Sequence, residues 1–244
     1  MSFKRQSLPS RWKSGEELTG DLNGIGFRFS GSINSNPLIE DTLMAASIEG
    51  IIGRDGRVMS LLTDWISIHF RRINVDRLFT IIKSLESLEY EAVKIYWCAN
   101  AQRLSEDSRF EKLRSIYKGR RRDYLALLEK ETNEAGSGSG FLIRKNGEDE
   151  RFKNTCIQVP NLVLRHRPKD ILTPQDLAKH HSGYRFRIML GPTYRADVWA
   201  LLRKYPELSV TKLATRAYCA YNTAKNAKDD YELVKRDYSD RKRA

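Results

Sequence analysis

Residues 207–233, ELSVTKLATRAYCAYNTAKNAKDDYEL, read as two helices broken at the AYC of 217–219. Ser209 stands where an N-cap belongs, before VTKLATRA. Within that segment Val210, Leu213 and Ala214 fall on one face at helical spacing. After the break, Ala220, Tyr221 and Asn222 open a longer helix. Ala224, Ala227, Tyr231 and either Leu233 or Val234 can then face a core, which leaves Asn222, Thr223, Lys225, Asn226 and Lys228 pointing outward. Upstream, GPTYRADVWALLRKYP (191–206) predicts a further helix. Pro192 lies near its start, Val198, Trp199, Leu201 and Leu202 supply apolar positions, and Pro206 ends it.

The outward face of the longer helix is small, polar and cationic. Asn222 and Asn226 lie one helical turn apart, and an Asn side chain can make paired hydrogen bonds to adenine in the major groove. Tyr221, Asn222, Thr223, Lys225, Asn226 and Lys228, with Lys212 and Arg216 on the shorter helix, are the candidate DNA-contacting residues. Residues 181–244 carry 14 Lys and Arg against 7 Asp and Glu, enough to neutralise several phosphates and make binding steeply salt-dependent. Asp229, Asp230 and Glu232 confine that contact to the first two turns.

Residues 194–233 resemble the helix-turn-helix of winged-helix regulators, in which a Leu-Ala pair in a short helix precedes a tight turn and a recognition helix. The longer piece RFRIMLGPTYRADVWALLRKYPELSVTKLATRAYCAYNTAKNAKDDYEL is similar to the winged-helix segment of bacterial proteins that pair with nucleotidyltransferase-type toxins. The resemblance implies duplex DNA binding and transcriptional regulation, or an antitoxin-like role with a protein partner. Two features depart from the pattern. Tyr218 and Cys219 occupy a turn that usually carries Gly, and VKRDYSDRKRA after Leu233 contains no hairpin, so a wing is truncated or supplied elsewhere.

The rest of the chain agrees with a polyanionic partner. Its 244 residues hold 43 Lys and Arg against 31 Asp and Glu, a formal charge of +12. No apolar run approaches the roughly 18 residues that a membrane helix needs, and the first residues lack the apolar segment of an export signal. Cys98, Cys156 and Cys219 are odd in number and widely spaced, outside any zinc-ligand pattern, so a reducing cytoplasm is expected. The adjacent pair His180–His181 cannot put two ligands on one helical face. Together with His69 and His166 they are expected in loops or on the surface, and no metal or cofactor is expected. With neither GxSxG nor a phosphate-binding Gly loop, no enzyme is expected. Arg120, Arg121 and Arg122 are possible phosphate contacts, weighed against a solvated helix start. Trp65, Trp97 and Trp199 fall on apolar helical faces and belong to a core.

The organisation expected is mainly α with a small β component. Residues 1–35 form a loosely ordered arm, with a strand near GIGFRFSGSI. Residues 36–133 form a helical domain whose first helix is capped by Asn36 with Pro37 at its first position. GRDG at 53–56 separates a helical hairpin, Asn74 caps the next helix, and EAVKIYWCANAQRL follows. Two more helices are split at Gly119. Residues 134–140, within NEAGSGSG, are a linker. Residues 141–244 then hold a hairpin around NGEDE, a strand at NLVLRHR, a short helix at TPQDLAKHH and the winged-helix-type domain. A homodimer or a toxin-like partner would use the helical domain.

Overall fold

The computed structural model describes residues 12–128 and 139–241, with side chains to 235. Among these residues it is mainly helical: thirteen α-helices against one pairing of two-residue strands. The expected arm is the first correction. Gly15–Gly24 form helix α1, whose Leu18 and Leu22 are buried, and Ile25 and Phe27 continue into the same core. Trp65 donates to the Ile25 carbonyl at 2.8 Å. At Gly24 an added Cβ would stand 2.3 Å from the Asn34 carbonyl oxygen, so this close approach requires glycine. No strand forms at 25–33, where Phe27 makes only an isolated antiparallel bridge with Ile171.

Helices α2 (Ile39–Ile51) and α3 (Gly56–His69) make the expected hairpin, with Asp55 accepting from the Arg57 and Val58 amides as the cap of α3. The start of α2 differs from expectation. Asn36 adopts a left-handed φ of 55° and its side chain serves another helix, accepting from the Ser182 amide and hydroxyl. Helix α4 (Val75–Lys83) is capped by Asn74 as expected. Helix α5 (Glu91–Arg103) is buried nearly all round, with Val93, Ile95, Tyr96, Trp97 and Ala99 inward, as a helix at the centre of a core must be. Of the two helices expected around Gly119, the first is reduced to α6 (Glu111–Arg114), and the second starts at Tyr124 as α7, described over Tyr124–Leu128.

Residues 134–138 of the expected linker lie outside the described residues, and Ser139 and Gly140 already belong to α8 (Ser139–Asn146). Ser139 is buried, and both its amide and its hydroxyl donate to Asp123. The hairpin around NGEDE is replaced as well. Asp149 accepts from the Arg151 amide and caps a short 3-10 turn, which drops Phe152 into the core. Strand β2 (Ile157–Gln158) then pairs in parallel with β1 (Arg122–Asp123). NLVLRHR forms no strand, while α9 (Pro174–His180) carries the expected Thr173 cap.

The apolar packing divides at a place other than 134–140. Phe152, Ile157, Val159, Leu164, Ile171, Leu177 and Tyr184 join one core with Leu18, Trp65 and Trp97. A second core begins at Phe186 and takes in Trp199, Leu202, Leu213, Ala217, Ala224 and Ala227. Helix α10 (Ser182–Leu190) belongs to both, and the second core is completed by α11 (Tyr194–Lys204), α12 (Val210–Ala217) and α13 (Tyr221–Arg241). Residues 36–133 are therefore incomplete without 139–184, because the later segment supplies part of the first core.

At the junction a buried charge network crosses from one core to the other. Arg187 of α10 donates to both oxygens of Glu40 on α2, at 2.6 and 2.8 Å, and to both oxygens of Asp197 on α11, at 2.9 and 3.0 Å. Burial alone would push the Glu40 carboxyl up, but the charge and hydrogen bonds of Arg187, with Arg77 beyond, hold it below the usual carboxylate range. Such a network adds little over an apolar substitute. Removing one partner, however, leaves the others charged in a place water does not reach.

Candidate nucleic-acid interface

The second core explains why α12 and α13 sit at a fixed angle. Ser209 caps α12 through the Lys212 amide, and Leu213 and Ala217 point inward. Trp199 donates its indole N–H to the Ala227 carbonyl at 2.9 Å and meets Phe186 and Tyr231 edge-on at 6.0 and 5.4 Å. Alanines at 224 and 227 let α13 approach that tryptophan closely, and both are buried.

Tyr218 makes the turn between the two helices. Its backbone is left-handed, φ 55° and ψ 36°, the conformation that favours glycine. Its ring compensates. The Arg77 guanidinium of α4 lies 4.1 Å from the ring centroid, so the turn is docked on the first core. Arg77 is only 1% exposed; one of its terminal nitrogens donates to both oxygens of Asp41, while its Nε and Nη1 have no hydrogen-bond partner.

Beyond the turn, Tyr221, Asn222, Thr223, Lys225 and Asn226 are exposed along the first two turns of α13. Lys212 and Arg216 are exposed on α12. These seven residues stand on two adjacent helices, as expected. Lys228 does not join them: its ammonium donates to the Leu208 carbonyl at 3.1 Å and lies 3.8 Å from Glu232, so it fastens α13 to the loop before α12. Of the acidic residues farther along, Asp230 faces Arg195 at 2.9 Å and Glu232 faces Lys228, while Asp229 stays exposed. Either Leu233 or Val234 was expected inward, yet both are exposed, at 63% and 46%, because the packing of α13 ends at Tyr231. Among the described residues no strand lies in 182–241, so no wing flanks the two helices there.

The arginine run behaves differently. Arg121 is held by the carbonyls of Phe152, Thr155 and Ile157 and by Glu148, which makes it a clamp between β1 and the segment before β2. Arg120 and Arg122 remain exposed. Of the expected phosphate contacts, Arg121 is thus withdrawn.

Histidine and cysteine also correct the sequence reading. His69 and His181 are buried, not on the surface. His69 lies between the Tyr184 hydroxyl at 2.7 Å and the Leu172 carbonyl at 3.1 Å. His181 accepts from the Tyr184 amide as the cap of α10 and bonds the Pro37 carbonyl. Burial pushes both imidazoles down to about 4, so both are neutral. Cys98 and Cys156, distant in sequence, come together thiol to thiol. Each thiol donates to a backbone carbonyl, Cys98 to Arg114 at 3.3 Å and Cys156 to Ile95 at 3.6 Å, and their mutual interaction raises the Cys156 pKa and lowers that of Cys98. Asp64, which sequence reasoning passed over, is buried and gathers Arg151 and His166 at 2.9 and 2.8 Å, fastening the 164–167 segment to α3. Its only sequence signal was a carboxylate on the apolar side of α3. Among the described residues no group of three or more His, Cys, Asp or Glu could hold a metal ion, and no helix is long and apolar enough to cross a membrane.

No protein-family model, curated protein or solved structure matches the chain.

Proposed function

We propose that this protein binds duplex DNA and regulates transcription, with the first two turns of α13 entering the major groove and α12 lying across the backbone. One observation carries the reading. In the intact chain Tyr221, Asn222, Thr223, Lys225 and Asn226 form one uninterrupted exposed face on a helix seated by Ala224 and Ala227. Lys225 has no carboxylate partner among the described residues, and the surplus of 14 cationic over 7 acidic residues in 181–244 favours a polyanion. Asn222 and Asn226 would read base edges, while Lys212, Lys225 and Arg216 would hold phosphates. The three-helix arrangement, with no flanking strand among the described residues, supports a plain helix-turn-helix more than a winged one.

The test is binding to a selected duplex and a scrambled one at two ionic strengths, with thermal stability measured in parallel. Asn222→Ala or Asn226→Ala should cost about 1–3 kcal/mol of discrimination and leave the fold intact. Lys225→Ala should weaken both duplexes alike and reduce the salt slope. A folded triple variant of Asn222, Lys225 and Asn226 with unchanged affinity would reject the assignment.

A second reading, an antitoxin-like protein that caps a partner, draws on the exposed Leu233 and Val234 beyond the second core. Co-purification of a stoichiometric protein that is lost in Leu233→Asp, with no duplex binding at low salt, would favour it.

A further inference from the structure

Tyr205 follows directly on α11, and two cations share its ring. Lys204 Nζ lies 5.3 Å and the Arg216 guanidinium carbon 5.1 Å from the centroid. Among the described residues neither is paired with a carboxylate. Like charges brought to one aromatic ring repel each other, and an anion between them removes that cost.

The same two residues stand at a cavity of about 350 Å³ between the two cores. Pro37 and Leu38 wall it from the first core, Ala200 and Leu201 from α11, and Ala217 and Tyr218 from the end of α12. Arg187 and Asp197 also line it, but they can take no ligand charge: every Arg187 nitrogen already donates to Glu40, Asp197 or the Arg72 carbonyl. His181, also in the lining, has both ring nitrogens engaged. The cavity is therefore apolar along its walls and closed to new polar bonds at these inner groups, with its uncommitted charge at Lys204 and Arg216. Its volume lies at the small end of ligand pockets, enough for a body of one ring or a medium-length alkyl chain.

We infer that this cavity is a binding site for a small amphipathic carboxylate, its apolar body between α11, α12 and the 37–38 segment and its carboxylate on Lys204 and Arg216. Such a ligand touches both cores at once and fixes the angle at which α12 and α13 are presented. The site stands whether or not α13 reads DNA.

The test uses the intact chain without nucleic acid. Calorimetric titration with 3-phenylpropionate and with octanoate is compared with 3-phenylpropionamide, which keeps the body and loses the charge, and with inorganic phosphate, which keeps a charge and loses the body. The expected result is binding of both carboxylates at millimolar concentration or below, with the amide and phosphate each weaker by about tenfold or more. Lys204→Gln combined with Arg216→Gln, both exposed and outside the cores, should cost the carboxylates a similar factor and leave the amide unaffected. Ala200→Trp, which fills the cavity, should abolish binding, and Lys225→Ala should leave it unchanged. Failure of both carboxylates to bind overturns the proposal. Equal binding of acid and amide overturns it too, as does phosphate binding as tightly as the carboxylates. Because no DNA is present, these failures leave the reading of α13 untouched, and loss of DNA binding in the triple variant leaves this site untouched.

Discussion

Four arginines packed against the first core and four cations of the three-helix unit are used in opposite ways. In the first core Arg77, Arg109, Arg121 and Arg151 are turned onto carboxylates and carbonyls and hold chain segments together. In the three-helix unit Lys204, Lys212, Arg216 and Lys225 have no carboxylate partner among the described residues, although the same chain could have supplied one. The difference teaches that a basic run is a weak sign of nucleic-acid contact. What matters is whether nearby backbone carbonyls already consume the donors, and that depends on loops far away in sequence.

The sharpest way to break the comparison is to ask whether the two regions are separate at all. Arg187→Met leaves Glu40 and Asp197 buried without their cation and should cost about 3–5 kcal/mol. Urea unfolding followed by tryptophan fluorescence should show one transition moving for both cores. Early loss of the three-helix unit alone, with the first core unmoved, would mean that the junction does not couple them.

Acid offers a second route. The buried imidazoles of His69 and His181 sit at about 4 against an ordinary 6.5, so the unfolded chain binds more protons between those values. Their contribution is complete above pH 6.5 and is lost as pH falls toward 4, by about 1–2 kcal/mol for each at pH 5. Glu40, held below its ordinary value, adds a further loss at lower pH still. Melting temperature should therefore drop between pH 7 and pH 5, and a His69→Gln, His181→Asn variant should flatten that slope. An unchanged slope in a folded variant would place the sensitivity elsewhere.

Arg121 and Lys225 sharpen the contrast directly. Arg121→Ala should lower stability by about 1 kcal/mol through the freed carbonyls and leave duplex affinity alone. Lys225→Ala should do the reverse. The smallest effect expected is at Tyr218. Tyr218→Ala loses the ring over Arg77 and keeps a left-handed non-glycine residue, whereas Tyr218→Gly loses the ring and relieves the backbone. Glycine should be the more stable of the two by about 1 kcal/mol, and equal stabilities would show that the backbone conformation is not what limits the turn.

Elements with local instructions were readable in the sequence. Asn74, Thr173 and Ser209 each cap the helix that follows them, within three residues. The alternation of Ala224 and Ala227 with polar residues gave the exposed face of α13 in the same way. Misreadings came where a side chain is used at long range. Asn36 looks like a cap for α2 and serves α10, 146 residues away. Lys228 looks like a phosphate ligand, but a carbonyl 20 residues earlier takes it. Helix α1 was hidden by its glycines, which are poor helix formers; at Gly24 the residue is required because the Asn34 carbonyl comes too close for a side chain. The apparent hairpin at 141–159 failed because the partner of β2 is β1, a pairing no local pattern announces.

The junction also has a consequence in time. The ion pair between Glu40 and Arg187 closes a separation of 147 residues, and the hydrogen bond between His69 and Tyr184 one of 115. During synthesis the first helices therefore leave the ribosome long before the residues that seal them, and the Glu40 carboxylate of α2 has the Asn74 amide but must wait for Arg187. Contacts of that range slow folding relative to a bundle of adjacent helices. The first core should close only when α10 arrives, nearly in the same step as the unit that follows it.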